Sequence, residues 1–90
     1  KPVKKLAVMG GAGGSSLTDA VAAGCDTYVT SDIKYNSFLD AKELEINLID
    51  ADHFCTENVV VPVLADKLAG RFEDVSFTLS SVHMQTAQFF

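Results

Sequence analysis

No stretch of this 90-residue chain approaches the length of apolar sequence that a membrane span needs, and the N-terminus lacks the charged-then-apolar order of a signal peptide. A soluble, cytoplasmic protein with no membrane partner is the expectation. Basic residues are scarce: seven Lys and Arg stand against twelve Asp and Glu, a net charge of −5, and they are scattered apart from Lys1, Lys4 and Lys5. A nucleic-acid footprint needs a basic patch, so no nucleic-acid partner is expected. Cysteine is limited to Cys25 and Cys55, with neither a CxxC spacing nor a multi-cysteine framework, which excludes a disulfide scaffold and predicts reduced thiols. Length is short as well. One domain of this size hides only about two-thirds of its chain surface on folding, so a partner surface would add considerably to its stability. The 48% hydrophobic and 21% charged residues are a globular composition without a disorder signature. Opening on Lys1 rather than Met leads us to expect a fragment or processed product.

The apolar pattern alternates between strand and helix. Lys5 to Met9 reads as a short buried strand that runs into Gly10-Gly11-Ala12-Gly13-Gly14-Ser15-Ser16, a run expected to end regular structure. A short helix from Leu17 to Ala23 follows, capped by Ser15 or Ser16 and closed by Gly24. Asp26 to Thr30 is a second strand, and Ser31-Asp32 is the expected cap of a second helix through Asn36, Phe38, Leu39, Ala41 and Lys42. Ile46 to Asp50 supplies a third strand. A third helix then carries an apolar face of Val60, Val63, Leu64 and Leu68 and closes at Gly70, with Pro62 forcing either a kink near Asn58 or a helix whose regular part starts at Pro62. Val75 to Ser80 alternates as a half-buried strand, and residues 81–90 form a tail ending in an exposed aromatic pair. The prediction is a single α/β domain over residues 1–80: a mostly parallel sheet from repeated strand–helix units, with helices covering its faces and Leu6–Met9, Tyr28–Thr30 and Leu48–Asp50 buried.

Loops leaving the carboxyl ends of parallel strands open on one edge, where α/β sheets bind ligands. Here those loops are Gly10 to Ser16, Thr30 to Asn36, and Asp50 to Glu57, so glycine amides, Asp32 and the last loop are expected together. Asp50-Ala51-Asp52-His53-Phe54-Cys55-Thr56-Glu57 concentrates carboxylates around an imidazole. His53 and Glu57 stand four apart, and on a helical backbone their side chains leave one face and can converge on one ion. Imidazole with carboxylate suits zinc, manganese or iron rather than calcium. The same residue types also cap helices and complement the macrodipole, so structure alone is an alternative reading. The glycine loop has Ser16 where a dinucleotide fingerprint places its third Gly and lacks the Lys of a P-loop, so a tight turn is the better reading than nucleotide binding. Acidic neighbours raise rather than lower the Cys55 thiol pKa, which argues against a nucleophile. His83 has no partner at ligand spacing, and Lys34 and Tyr35 read as a solvated rim.

Taken in order and spacing, GGAGGSS after a strand, then Val29-Thr30-Ser31-Asp32-Ile33-Lys34-Tyr35, then Ile49 to Glu57, resemble the C-terminal half of the NIF-three-like family, whose members are often labelled GTP cyclohydrolase I type-II homologues. The resemblance implies one lobe of a two-lobed α/β fold, assembly as a homohexamer, and two divalent ions per full-length subunit. It makes His53 and Glu57 metal ligands, with the remaining ligands on a missing N-terminal lobe. By resemblance the activity is that of a metal-dependent hydrolase of cyclohydrolase type, the isolated chain being inactive; the alternative is a non-catalytic metal-binding regulatory or protein-interaction module. Three departures stand out: Asp52 where the family usually has Gly, Asn36 where it commonly has His, and Ser31 for a common Gly. Self-association of the isolated chain is a further expectation, because a lost lobe leaves apolar surface uncovered.

Overall fold

In the computed structural model, which describes residues 1–90, three strands form one parallel sheet: β1 (Leu6–Ala12), β2 (Thr27–Ser31) and β3 (Asn47–Asp50), in the order β1-β2-β3. Helix α1 (Leu17–Ala22), entered through a 3-10 turn at Gly14–Ser16, and α2 (Tyr35–Glu43) make the two crossovers; α3 (His53–Glu57) and α4 (Val60–Arg71) follow β3. The expected α/β class and parallel sheet are what is found.

Strand order decides which face is covered. A chain that steps one strand at a time in one direction through right-handed crossovers lays both crossover helices on the same face. Leu17 and Ala20 of α1 and Ala41 of α2 accordingly share one core with Tyr28 and Ile46, with Ala7, Cys25 and Leu48 packed against it. On the opposite face Val8 and Ile49, both in register with Val29, remain 67% and 46% exposed. The expectation that helices cover both faces and bury all three strands is therefore corrected: only the central strand β2 is largely buried.

Both crossover helices end alike. After α1, the Gly24 N–H donates to the Val21 carbonyl and the Cys25 N–H to that of Ala20, with Gly24 at φ +75°. After α2, Glu45 at φ 55° and Ile46 repeat the pattern onto Lys42 and Ala41, and Ile46 drops into the core. These are left-handed caps that satisfy the last carbonyls. At the front ends the expected caps are absent: Ser16 occupies the N-cap of α1 without a side-chain hydrogen bond, and the N-cap of α2 is Lys34 rather than Ser31 or Asp32.

β1 runs through the glycines instead of ending at Met9. Its pairing with β2 shifts between Val8 and Ala12, and Gly11 takes φ +71° in the bulge, a conformation glycine adopts at little cost. At the other end the chain breaks at Asn58–Val59 and resumes as α4 at Val60, so of the two outcomes expected from Pro62 the kink near Asn58 is the one found. Pro62 itself sits in the first turn of α4, where its missing N–H costs nothing. Gly70 lies inside α4 rather than past it. The apolar face of α4 is uncovered: Val60, Val63 and Leu64 are each more than half exposed.

Val75–Ser80 is not a strand. The segment pairs with none of the three strands, and an extended segment without a neighbouring backbone edge has no ladder to join. The last residues end in an exposed Phe89–Phe90 pair. No helix is long and apolar enough to cross a membrane.

Candidate metal centre

The three loops at the carboxyl ends of the strands do meet. The α3 turn begins at Asp52, held at φ 71°, whose carboxylate accepts the Cys55 N–H at 3.0 Å and so caps the helix. With α3 formed, His53 and Glu57 project from one side, and His53 Nε2 stands 2.9 Å from Glu57 Oε2. The second ring nitrogen, Nδ1, is 2.6 Å from Asp32 Oδ2, across from the end of β2. Both ligand candidates stay open to solvent, with 43% of the His53 and 58% of the Glu57 side chain exposed.

Glycine 11 closes the third side. A Cβ at that position would fall 2.3 Å from Glu57 Oε1 and 3.3 Å from His53 Nε2, so a side chain here would push Glu57 aside, and the backbone at φ +71° already favours glycine. The bulge is held in place by its neighbours: the Gly11 N–H donates to Thr56 Oγ1 at 2.9 Å, and the Gly11 carbonyl accepts from Thr30 Oγ1 at 3.0 Å and from Ser31 Oγ. Gly13 is treated likewise, its N–H donating to Thr30 Oγ1 and its carbonyl accepting the Tyr28 hydroxyl at 2.6 Å. The amides of Gly11 and Gly13 are thus used inside the fold. This supports the tight-turn reading of the loop over a nucleotide-binding one.

Charge follows the geometry. The hydrogen bond that His53 Nδ1–H donates to Asp32 raises the His53 pKa above its ordinary 6.5, and the nearby Glu57 carboxylate adds to the effect. The Cys55 N–H holds the Asp52 carboxyl below the usual carboxylate value, while the Asp52 contact pushes the Cys55 thiol up. Cys55 is accordingly a poor nucleophile, as its acidic neighbours implied. An imidazole nitrogen and a carboxylate on one face, beside a space that a Cβ would fill, are a donor set fit for a divalent cation. No group of three or more His, Cys, Asp and Glu side chains converges. Asp32 is taken up by the far ring nitrogen and Asp52 by its capping role, so neither adds a third ligand.

An open cleft of 820 Å³ adjoins the pair, lined by His53, Phe54, Glu57, Val60 and Val61 and, from the C-terminal segment, by His83, Gln85 and Thr86. The His83 ring lies 5.0 Å from that of Phe54, and Gln85 Nε2 donates to Asp52. Sequence spacing gave no reason to place His83 here, because Phe54 and His83 are 29 positions apart in the chain. Asn36 does not join the cleft; it lies beside Gly14, Ser37 and Asp40 in a separate depression. Tyr35, at 78% exposed, is rim, as the sequence suggested.

A sequence model of the family described as Duf34/NIF3 (NGG1p interacting factor 3) matches residues 1–88. A Clostridium perfringens protein named GTP cyclohydrolase 1 type 2 homolog is 34% identical over 79 residues, 87% of this chain and 30% of that protein. A Staphylococcus aureus protein of the same name is 41% identical over 70 residues, 78% of this chain and 19% of that protein. Among solved structures, Staphylococcus aureus protein SA1388 matches with a TM-score of 0.85 and 33% identity, covering 98% of this chain and 30% of that one. A Bacillus cereus protein related to NIF3 matches with a TM-score of 0.76 and 31% identity, over 98% of this chain and 25% of that one. The chain therefore spans less than a third of the length of these relatives.

Proposed function

This chain belongs to the Duf34/NIF3 family, and on that premise we propose that it is the metal-holding lobe of a divalent-metal protein whose complete form carries out metal-assisted hydrolysis. The observation that supports this most is the convergence of His53 Nε2 and Glu57 Oε2 at 2.9 Å beside the space kept open by Gly11. In this reading His53 and Glu57 hold zinc, manganese or iron, and the other ligands of a two-ion site come from the rest of the protein. The chemistry such an ion supplies when bound is Lewis acidity toward a substrate oxygen and activation of water at neutral pH. The chain's own residues do the rest: Asp52 and Thr56 shape the α3 turn that aims the ligands, and Phe54, Val60 and Val61 give the cleft an apolar wall against which a substrate sheds water. The name carried by the relatives suggests a cyclohydrolase-type substrate.

A second reading, a non-catalytic metal-binding interaction module working as a homo-oligomer, is favoured by the uncovered apolar surface of β1, β3 and α4. Metal content of the purified full-length protein tests the first. His53→Ala and Glu57→Gln should each lower it sharply with an unchanged circular dichroism spectrum, because both side chains lie on an exposed rim. Normal occupancy in both variants would remove the basis for a metal function at this site. Hydrolytic turnover that tracks occupancy separates the enzyme from the module.

A further inference from the structure

The imidazole of His53 has two carboxylates to choose between. Asp32 lies 2.6 Å from Nδ1 and Glu57 lies 2.9 Å from Nε2. A neutral ring carries one proton, so which carboxylate receives it decides which nitrogen keeps a lone pair. A proton on Nε2 would be directed at Glu57 and would block the nitrogen that faces the cation space. A proton on Nδ1 leaves Nε2 free.

The fold is built to bring Asp32 to this place. Directly after β2 the backbone turns to φ 50° at Asp32, a left-handed conformation that Asp tolerates better than most residues. Asp50, at the end of β3, fastens this turn to the next: its Oδ2 accepts the Ile33 N–H at 3.3 Å, and its Oδ1 accepts the Asp52 N–H at 3.1 Å. One carboxylate thus ties the residue after Asp32 to the residue before His53, fixing the distance between the two loops. Asp32 itself makes no other side-chain hydrogen bond than the one to His53.

We propose that Asp32 is a positioning residue that holds the Nδ1–H of His53, so that Nε2 presents its lone pair to the space between Glu57 and Gly11. Its value to metal binding rests on the function proposed above, whereas its hold on the ring does not. Carboxylates that orient ligating histidines in this way typically change metal affinity about ten- to a hundredfold when removed.

The test uses the full-length protein in two variants, Asp32→Ala and Asp32→Asn. The ring ¹⁵N shifts of His53 are read in the metal-free protein at a pH where the ring is neutral, and zinc affinity is measured by chelator competition. The wild type should show the Nδ1–H tautomer. Asp32→Ala should move the ring to the Nε2–H tautomer, bonded to Glu57, and weaken zinc binding about ten- to a hundredfold. Asp32→Asn, whose amide oxygen can still accept the Nδ1 proton, should keep the tautomer and part of the affinity. If Asp32→Ala does not fold, Asp32→Asn and the wild-type tautomer decide. An Nε2–H ring in the wild type, or an unchanged Nδ1–H ring in Asp32→Ala, would overturn the proposal. A wild type that takes up no zinc would count against the metal function, and the tautomer would still decide the role of Asp32.

Discussion

All ten buried residues of the chain lie between Gly11 and Ile46, whereas the run from Val60 to Phe90 contributes none. Apolar content does not separate the two regions, since Val60, Val63, Leu64, Phe72, Val75 and Leu79 are all large and all exposed. What separates them is whether a helix is laid back onto the sheet. Each crossover brings its helix back onto the face that carries Ala7, Tyr28 and Leu48, and closes it with a left-handed cap that aims the next strand. No crossover returns α4. An apolar stripe states that a face should be covered; only topology states by what.

The largest effect expected from this contrast comes from two glycine substitutions of opposite sign in the 90-residue chain. A Cβ at Gly13 would fall 2.3 Å from Thr30 Oγ1 and 2.6 Å from the Tyr28 hydroxyl, both held in buried hydrogen bonds. Gly13→Ala should destabilise by about 3 kcal/mol through overpacking and lost hydrogen bonds. At Gly70 nothing lies within 4 Å, so Gly70→Ala should stabilise by about 0.5–1 kcal/mol through helix propensity alone. Urea denaturation measures both, and a loss at Gly70 would mean that α4 is packed after all.

Leucine truncation sharpens the same comparison. Leu17 is 4% exposed in the core and Leu64 is 52% exposed on α4. Leu17→Ala should cost about 3 kcal/mol, and Leu64→Ala no more than about 0.5 kcal/mol in this chain. A larger cost for Leu64→Ala in the full-length protein than in the chain alone would show that another part of the protein covers α4.

A smaller effect concerns pH. The hydrogen bond that His53 donates to Asp32 raises the His53 pKa in the folded state, so the imidazolium favours folding. That contribution is fully present below the ordinary value of 6.5 and is lost as pH rises through the raised folded value. The metal-free protein should therefore melt slightly lower as pH climbs through that window, with His53→Ala removing the step. Because the ring is solvent-exposed, the step is small. Metal uptake has the opposite trend, weakening as pH falls and a proton claims Nε2.

The smallest effect is expected at Asp52. Asp52→Gly loses the cap on Cys55 N–H, about 1 kcal/mol, but relieves a non-glycine residue at φ 71°, which offsets about as much. Net stability should change by less than about 1 kcal/mol, while the contact to Gln85 is lost. A thermal melt checks the first, and faster proteolysis of the C-terminal segment the second.

The parts of this fold legible in the sequence are those set by local chemistry. Strand–helix alternation gives three parallel strands, parallel strands put three loops on one edge, and a spacing of four on a helix turns His53 and Glu57 together. Features that need a partner element were not legible. Val75–Ser80 alternates as a strand does, yet a strand exists only where another backbone offers a ladder. The glycine run reads as a break, yet hydroxyls of Thr30, Ser31 and Thr56 turn it into a bulged continuation of β1. Asp32 looked like a helix cap because its left-handed turn, set by Asp50 from a different strand, leaves no local signal.

On the proposed function a divalent ion sits between His53 Nε2 and Glu57. Anomalous diffraction at the manganese or zinc edge from crystals of the metal-loaded full-length protein tests it most directly. The account predicts a peak within about 2.2 Å of His53 Nε2 and of a Glu57 carboxylate oxygen, with Asp32 on Nδ1. A peak bonded elsewhere, or none at this pair in fully loaded protein, would contradict it.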